Sequence, residues 1–172
     1  MESALVSLVS VALVIIATVT MMMSSFHSVS TVADSWRQME EQSGDIRRTE
    51  ITAVPPANYG GGNINLMVAN DGQTNLDDFA YWDVIAQQQA GDTYYIAYTD
   101  GSTPGSNEWT VEGIYLSDNT TVAEVFDPDI LNPGETMKMV INLDPDIGAG
   151  ETGRITVSTP NGVTSQCLVT RP

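Results

Sequence analysis

The 172 residues carry 22 acidic and only six basic side chains, a formal net charge of −16, which repels polyanions and excludes binding to nucleic acid or an anionic membrane surface. With about 50 residues in an N-terminal segment of separate character, the remaining ~120 suit one globular domain. The lone cysteine, Cys167, excludes an intrachain disulfide, and the lone histidine, His27, leaves little material for an enzyme centre.

Residues 3–33 contain no Asp, Glu, Lys or Arg. The run passes through Leu5, Val14-Ile15-Ile16 and Met21-Met22-Met23 to Phe26, long enough to cross a bilayer as a helix. Only Met1 and Glu2 precede it, with no basic residue in front, as a signal peptide or signal anchor would have. This predicts a chain whose short basic leader has been cut away. No Pro or Gly interrupts residues 3 to 43, so one helix is expected to Ser43-Gly44-Asp45, with Gly44 as its left-handed cap. At ~1.5 Å per residue it would reach ~60 Å, twice the hydrocarbon thickness. Up to Phe26 it is apolar nearly all round and must be surrounded by lipid or by other helices. Its small polar residues can return their hydroxyls to the i−4 carbonyl. Beyond Phe26, Val29, Val32, Ala33, Trp36 and Met39 recur at helical spacing while Asp34, Arg37, Glu40 and Glu41 face elsewhere. A polymerising subunit and a single-pass anchor both fit such a helix. The uncharged flanks and the extension beyond any bilayer favour the polymer.

After the helix, residues 51–172 hold 16 acidic and three basic residues, Lys138, Arg154 and Arg171. A strand is expected over 49–54, broken by Pro55-Pro56 and Gly60-Gly61-Gly62. The period then switches to two, with Ile64, Leu66 and Val68 on one side. Further strands are expected at about 79–86, 93–99, 109–116, 136–143 and 153–159. Pro160-Asn161-Gly162 makes a hairpin into a last strand to Thr170. Seven or eight short strands between Gly, Pro, Asp and Asn clusters argue for an all-β sandwich. Cys167 alternates with Ser165 and Val169 and reads as a core residue. Tyr81, Trp82, Tyr94, Tyr95, Tyr98, Trp109 and Tyr115 read as core or lateral contacts. The acidic turns Asp127-Pro128-Asp129 and Asp144-Pro145-Asp146 match no calcium-loop pattern and read as solvated. No catalytic residue, cofactor or metal is expected.

This plan resembles that of the archaellins, within the type IV pilin-like filament subunits. Three phrases join the helix in carrying the resemblance. Asn70-Asp71-Gly72-Gln73-Thr74-Asn75-Leu76 resembles a turn after an early strand of their sandwiches. Leu131-Asn132-Pro133-Gly134-Glu135 resembles their turn before a core strand, and Thr159-Pro160-Asn161-Gly162 a late hairpin. Position 5 is Leu5, where bacterial type IV pilins place a glutamate, and one cysteine cannot make their disulfide loop. Archaellin helices often carry early glycines, and this one has none.

The resemblance implies an α+β chain: a polymerisation helix over 1–44 and an immunoglobulin-like β-sandwich over 45–172. It implies a non-enzymatic structural subunit of an extracellular, cell-surface filament used for motility, built of identical copies. A leader peptidase and a membrane assembly platform would handle it, and the membrane would hold it only before assembly. The expected buried filament core comprises Leu5, Leu8, Ala12, Ile15, Ile16, Val19, Met22, Met23 and Phe26. Trp36 and Met39 are expected to pack on the subunit's own or a neighbouring domain, and Asn119, in the one N-x-S/T sequon, to accept a glycan. An adhesive pilus subunit and a membrane-anchored stator or binding protein remain open beside the propeller reading.

Overall fold

In the computed structural model the described residues are 2–57, 59–116 and 122–172. The chain divides into two compact units, Met1–Ser43 and Gly44–Pro172.

The described residues of the first unit are all helical. Helix α1 spans Glu2–Arg48, so the helix does not stop at Gly44 as its sequence suggests. Gly44 has no positive φ and lies inside the helix, where a glycine costs about 1 kcal/mol relative to alanine. In a helix of 47 residues that penalty is too small to end it. The actual stop is Thr49, whose N–H donates to Asp45 O at 3.0 Å.

The second unit holds eight strands: β1 (Ile51–Val54), β2 (Asn63–Asn70), β3 (Asp83–Gln88), β4 (Thr93–Tyr98), β5 (Glu108–Tyr115), β6 (Thr136–Asn142), β7 (Thr152–Ser158) and β8 (Thr164–Thr170). They follow the order β1-β2-β6-β5-β4-β3-β7-β8. Two four-stranded antiparallel layers, β1-β2-β6-β5 and β4-β3-β7-β8, are linked by a short parallel pairing of β4 with β5. This is an α+β chain with a β-sandwich.

Alternation places one face of each layer inside. Ile64, Leu66 and Val68 of β2, Met137, Met139 and Ile141 of β6, Val84 of β3 and Ile155 and Val157 of β7 are all buried. Trp109 sits at their centre with Tyr98 against it edge-on at 4.9 Å, and Phe79 meets Trp82 at 5.5 Å. Cys167 lies in this core, where burial pushes its thiol up to about 11, so it is not a reactive thiolate at neutral pH.

The expected strand over 79–86 is corrected. Phe79–Tyr81 forms a 3₁₀ turn entered through Asp78 at φ 50°, and the strand begins only at Asp83. Asp144-Pro145-Asp146 also differs from a solvated turn. Asp146 accepts from Tyr59 Oη, from Gly62 N at 3.0 Å, from Ile147 N at 2.8 Å and from Arg171 at 3.2 Å. Burial pushes its carboxyl up, but those donors and the Arg171 charge together bring it below the ordinary carboxylate range.

Candidate polymerisation surface

Helix α1 has side chains with nothing over them. Thirteen large apolar residues from Val6 to Phe26 are exposed, among them Leu8 at 71 % and Phe26 at 65 %. Of the expected filament-core residues, Leu8, Ala12, Ile15, Ile16, Val19, Met22, Met23 and Phe26 are all exposed on α1. Leu5 lies on the same helix, and its side chain lies outside the described residues. Val9, Leu13 and Val14, which the list of core residues passes over, are exposed too. At 100° per residue such consecutive positions cover every side of the helix. The helix is long and apolar enough to cross a membrane.

The polar residues of this stretch do not contradict its apolar character. Ser10 Oγ donates to Val6 O at 2.9 Å, Thr20 Oγ1 to Ile16 O at 2.8 Å, Ser25 Oγ to Met21 O at 2.9 Å and Thr31 Oγ1 to His27 O at 2.9 Å. Thr18 bonds Val14 O in the same manner. Each of these donors is spent on the helix's own carbonyls, so burying them leaves no unmet hydroxyl proton. Further along, Trp36 and Met39 are exposed at 70 % and 67 %, and Arg37 stands 3.9 Å from Asp34.

The helix exit is built by residues far apart in sequence. Thr49 is buried, and its Oγ1 donates to Asp45 O at 2.8 Å, sits 2.7 Å from Thr74 Oγ1 and accepts from Asn161 Nδ2 at 2.8 Å. Gln73 N donates to Arg48 O at 2.7 Å. The turn comes so close that a Cβ at Gly72 would lie 2.5 Å from Arg48 O and from Glu50 N. Asn70, fully buried, gives its side-chain amide to Thr74 O at 2.8 Å and Leu131 O at 2.9 Å. Glu135 Oε2 accepts from Asn132 N at 2.7 Å. Asn70–Leu76, Leu131–Glu135 and Thr159–Gly162 thus form one connected collar around the last turn of α1. The sequence marks each phrase as a turn, but nothing in it reveals that they meet.

Asn119 lies outside the described residues. Among the described residues no group of three or more His, Cys, Asp or Glu is placed to hold a metal ion.

A family model, Archaeal-type flagellin, matches residues 3–167. No curated protein matches the chain. Among solved structures, flagellin FlaB1 from Methanocaldococcus jannaschii is similar at 10 % identity and a TM-score of 0.54, over 72 % of this chain and 90 % of its own. The archaeal flagellum of Methanospirillum hungatei strain JF1 is similar over 99 % of this chain and 92 % of its own, at 16 % identity and a TM-score of 0.51. The archaellum periplasmic stator protein FlaG from Sulfolobus acidocaldarius is similar at 21 % identity and a TM-score of 0.51, over 70 % of this chain and 98 % of its own. At these identities the likenesses are in the fold.

Proposed function

Because this chain belongs to the archaeal-type flagellin family and is a structural archaellin subunit of a surface filament, we propose that it is the major subunit of a rotating motility filament whose core is α1. Residues 1–44 polymerise, and residues 45–172 form the outer domain. Leu5, Leu8, Ala12, Ile15, Ile16, Val19, Met22, Met23 and Phe26 pack in the core against the same helix of other copies. Trp36 and Met39 pack on the subunit's own domain or on that of a neighbouring copy. The subunit catalyses nothing. A leader peptidase and a membrane assembly platform deliver it, and the bilayer holds α1 until the filament takes it up. Asn119 accepts a glycan on the outer surface.

One observation carries the reading: an uncharged helical surface, exposed on all sides, most of whose hydroxyls are already bonded to their own backbone. Burial of a large apolar side chain contributes ~1.5 kcal/mol or more. The thirteen exposed between Val6 and Phe26 therefore supply on the order of 20 kcal/mol before the cost of ordering the subunits. That is ample for a polymer without covalent links.

Electron microscopy of filaments sheared from the native cells, with mass spectrometry of their main band, tests the proposal. Long filaments composed of this chain are the expected result. Recovery only as a scarce membrane-bound monomer would replace it by the stator or anchor reading, and filaments that bind surfaces while cells fail to swim would make it an adhesive pilus.

A further inference from the structure

Beyond β5 the chain builds an exposed apolar tip. Ala123 bridges back to Tyr115, and Glu124 N donates to Ile114 O at 2.8 Å. The next two residues, Val125 and Phe126, are 78 % and 92 % exposed. The tip is nevertheless ordered from within. Glu124 Oε1 accepts from the N–H groups of Val125 at 2.9 Å, Phe126 at 2.6 Å and Asp127 at 3.3 Å. A bare phenylalanine on a pre-organised turn is the kind of anchor that fills a pocket on a partner. Asp127 and Asp129 flank it, both exposed.

The sandwich also carries a hollow of about 430 Å³, lined by Gln87, Gln89, Gly91, Thr152, Arg154 and Leu168 among others. Leu168 is 59 % exposed there, beside Arg154 across the β7–β8 pairing. Arg154 carries a charge with no partner of its own among the described residues. Of the three basic residues after position 51, Lys138 pairs with Glu112 at 2.7 Å and Arg171 with Asp146 at 3.2 Å. Arg154 makes no ion pair among the described residues.

Strand register separates tip and hollow. β3 runs antiparallel to β4, with Gln87 opposite Thr93. β4 pairs in parallel with β5, Ala97 opposite Glu108, and β5 then runs on to Tyr115. The hollow therefore lies at the end where β4 starts, and the tip, folded back antiparallel along the last residues of β5, lies toward the other end, on the order of 25 Å away along the strands. A tip at one end and a receptor at the other cannot satisfy each other within one copy. Between copies they form a head-to-tail contact that does not close on itself, which generates a helical polymer.

We propose that Phe126 of one copy seats in the Gln87–Arg154–Leu168 hollow of a second copy, with Asp127 and Asp129 meeting Arg154. Charge selects this seat over the hollow of about 300 Å³ formed by Thr52, Val54, Met67, Ala69 and Asp71, where Asp71 would face the tip's own carboxylates. In residues 51–172, with 16 acidic and three basic side chains, one correctly placed guanidinium offsets part of the repulsion between neighbouring copies. The contact adds a second layer of cohesion outside the helical core and rests on the filament reading above.

Paired cysteines test it in filaments of the full-length chain. Native Cys167 is buried and gives no background. Phe126→Cys with Gln87→Cys, oxidised with copper–phenanthroline, should yield a ladder of dimers, trimers and longer species on a non-reducing gel, and neither single variant should. A ladder from Phe126→Cys with Met67→Cys instead, or intact filaments with no ladder from either pair, would overturn the contact. Should the cysteine pair fail to assemble, charge reversal decides. Asp127→Arg or Arg154→Asp alone should lower the temperature at which filaments dissociate, and the two together should restore it. No restoration overturns the contact. Wild-type filaments that lack this chain overturn the filament reading itself.

Discussion

Along α1, the apolar residues from Val6 to Met39 point outward with nothing over them, and most hydroxyls between them bond the helix's own carbonyls. In the β domain the arrangement is inverted. Ile64, Trp109 and Met139 are fully buried, and the outer surface carries most of the chain's acid. One unit leaves its apolar surface for lipid or other helices to cover, whereas the other has completed its burial alone. A substitution in the helix should therefore be read in assembly, and one in the sandwich in folding.

The comparison breaks most sharply in the helix. Leu8→Arg or Ile15→Asp places a charge among apolar neighbours on every side, and filaments should vanish from sheared-cell preparations. The near-ultraviolet circular dichroism of the full chain in detergent should stay unchanged. Intact filaments carrying either change would mean that α1 is not the core. In the sandwich the reverse holds. Trp82, 1 % exposed, truncated to alanine should cost about 3–5 kcal/mol, read as a lower melting temperature of the full chain in detergent.

How much of this the sequence shows depends on the range of the interaction. The uncharged run of α1, the alternation of Met137, Met139 and Ile141, and the Asn161-Gly162 turn are local patterns, and each leads to the right element. Gly162 adopts φ 87°, the left-handed position that closes a three-residue hairpin loop between Thr159 and Val163. Gly44 misleads because its propensity is weak against a long helix. Phe79 to Tyr81 mislead because aromatic residues favour strands until a left-handed Asp78 turns the chain. The collar around Thr49 is hidden altogether: Asn161 reaches it across 112 positions, and no periodicity encodes such a bond. The tip at Phe126 likewise depends on one carboxylate, Glu124, gathering three amides.

The collar sharpens the comparison, since it lies where the helix enters the domain. Thr49→Val strands the Asn161 amide and the Thr74 hydroxyl and should cost about 1–3 kcal/mol, seen in thermal unfolding of the full chain. The smallest effect belongs to the Asp146 hub. Because its carboxyl is held below the ordinary range, its stabilisation is complete above the unfolded value of ~4 and is lost as pH falls through the lower folded value. Tyr59→Phe removes one donor, at about 1 kcal/mol. It should move the acid limb of unfolding to higher pH, which a pH titration followed by circular dichroism would register. At the alkaline end the wild type has its own limb. Burial first, and then the Asp146 hydrogen bond and charge, raise the Tyr59 hydroxyl, so its contribution holds up to ~10 and fades above it.

The inward-turned hydroxyls of α1 also govern how a bundle of such helices would move. A hydrogen bond between two helices has a fixed register, and shifting one past the other means breaking it before the next can form. Apolar contact is non-directional, but the side chains of packed helices interdigitate, so one helix moves past another between discrete packings. A rod that bends while it spins must lengthen on its outer side and shorten on its inner side once per revolution. Helices that carry Ser10, Thr20 and Ser25 bonded to themselves can make that exchange by repacking side chains, with no hydroxyl bond between these residues and a neighbour to break first.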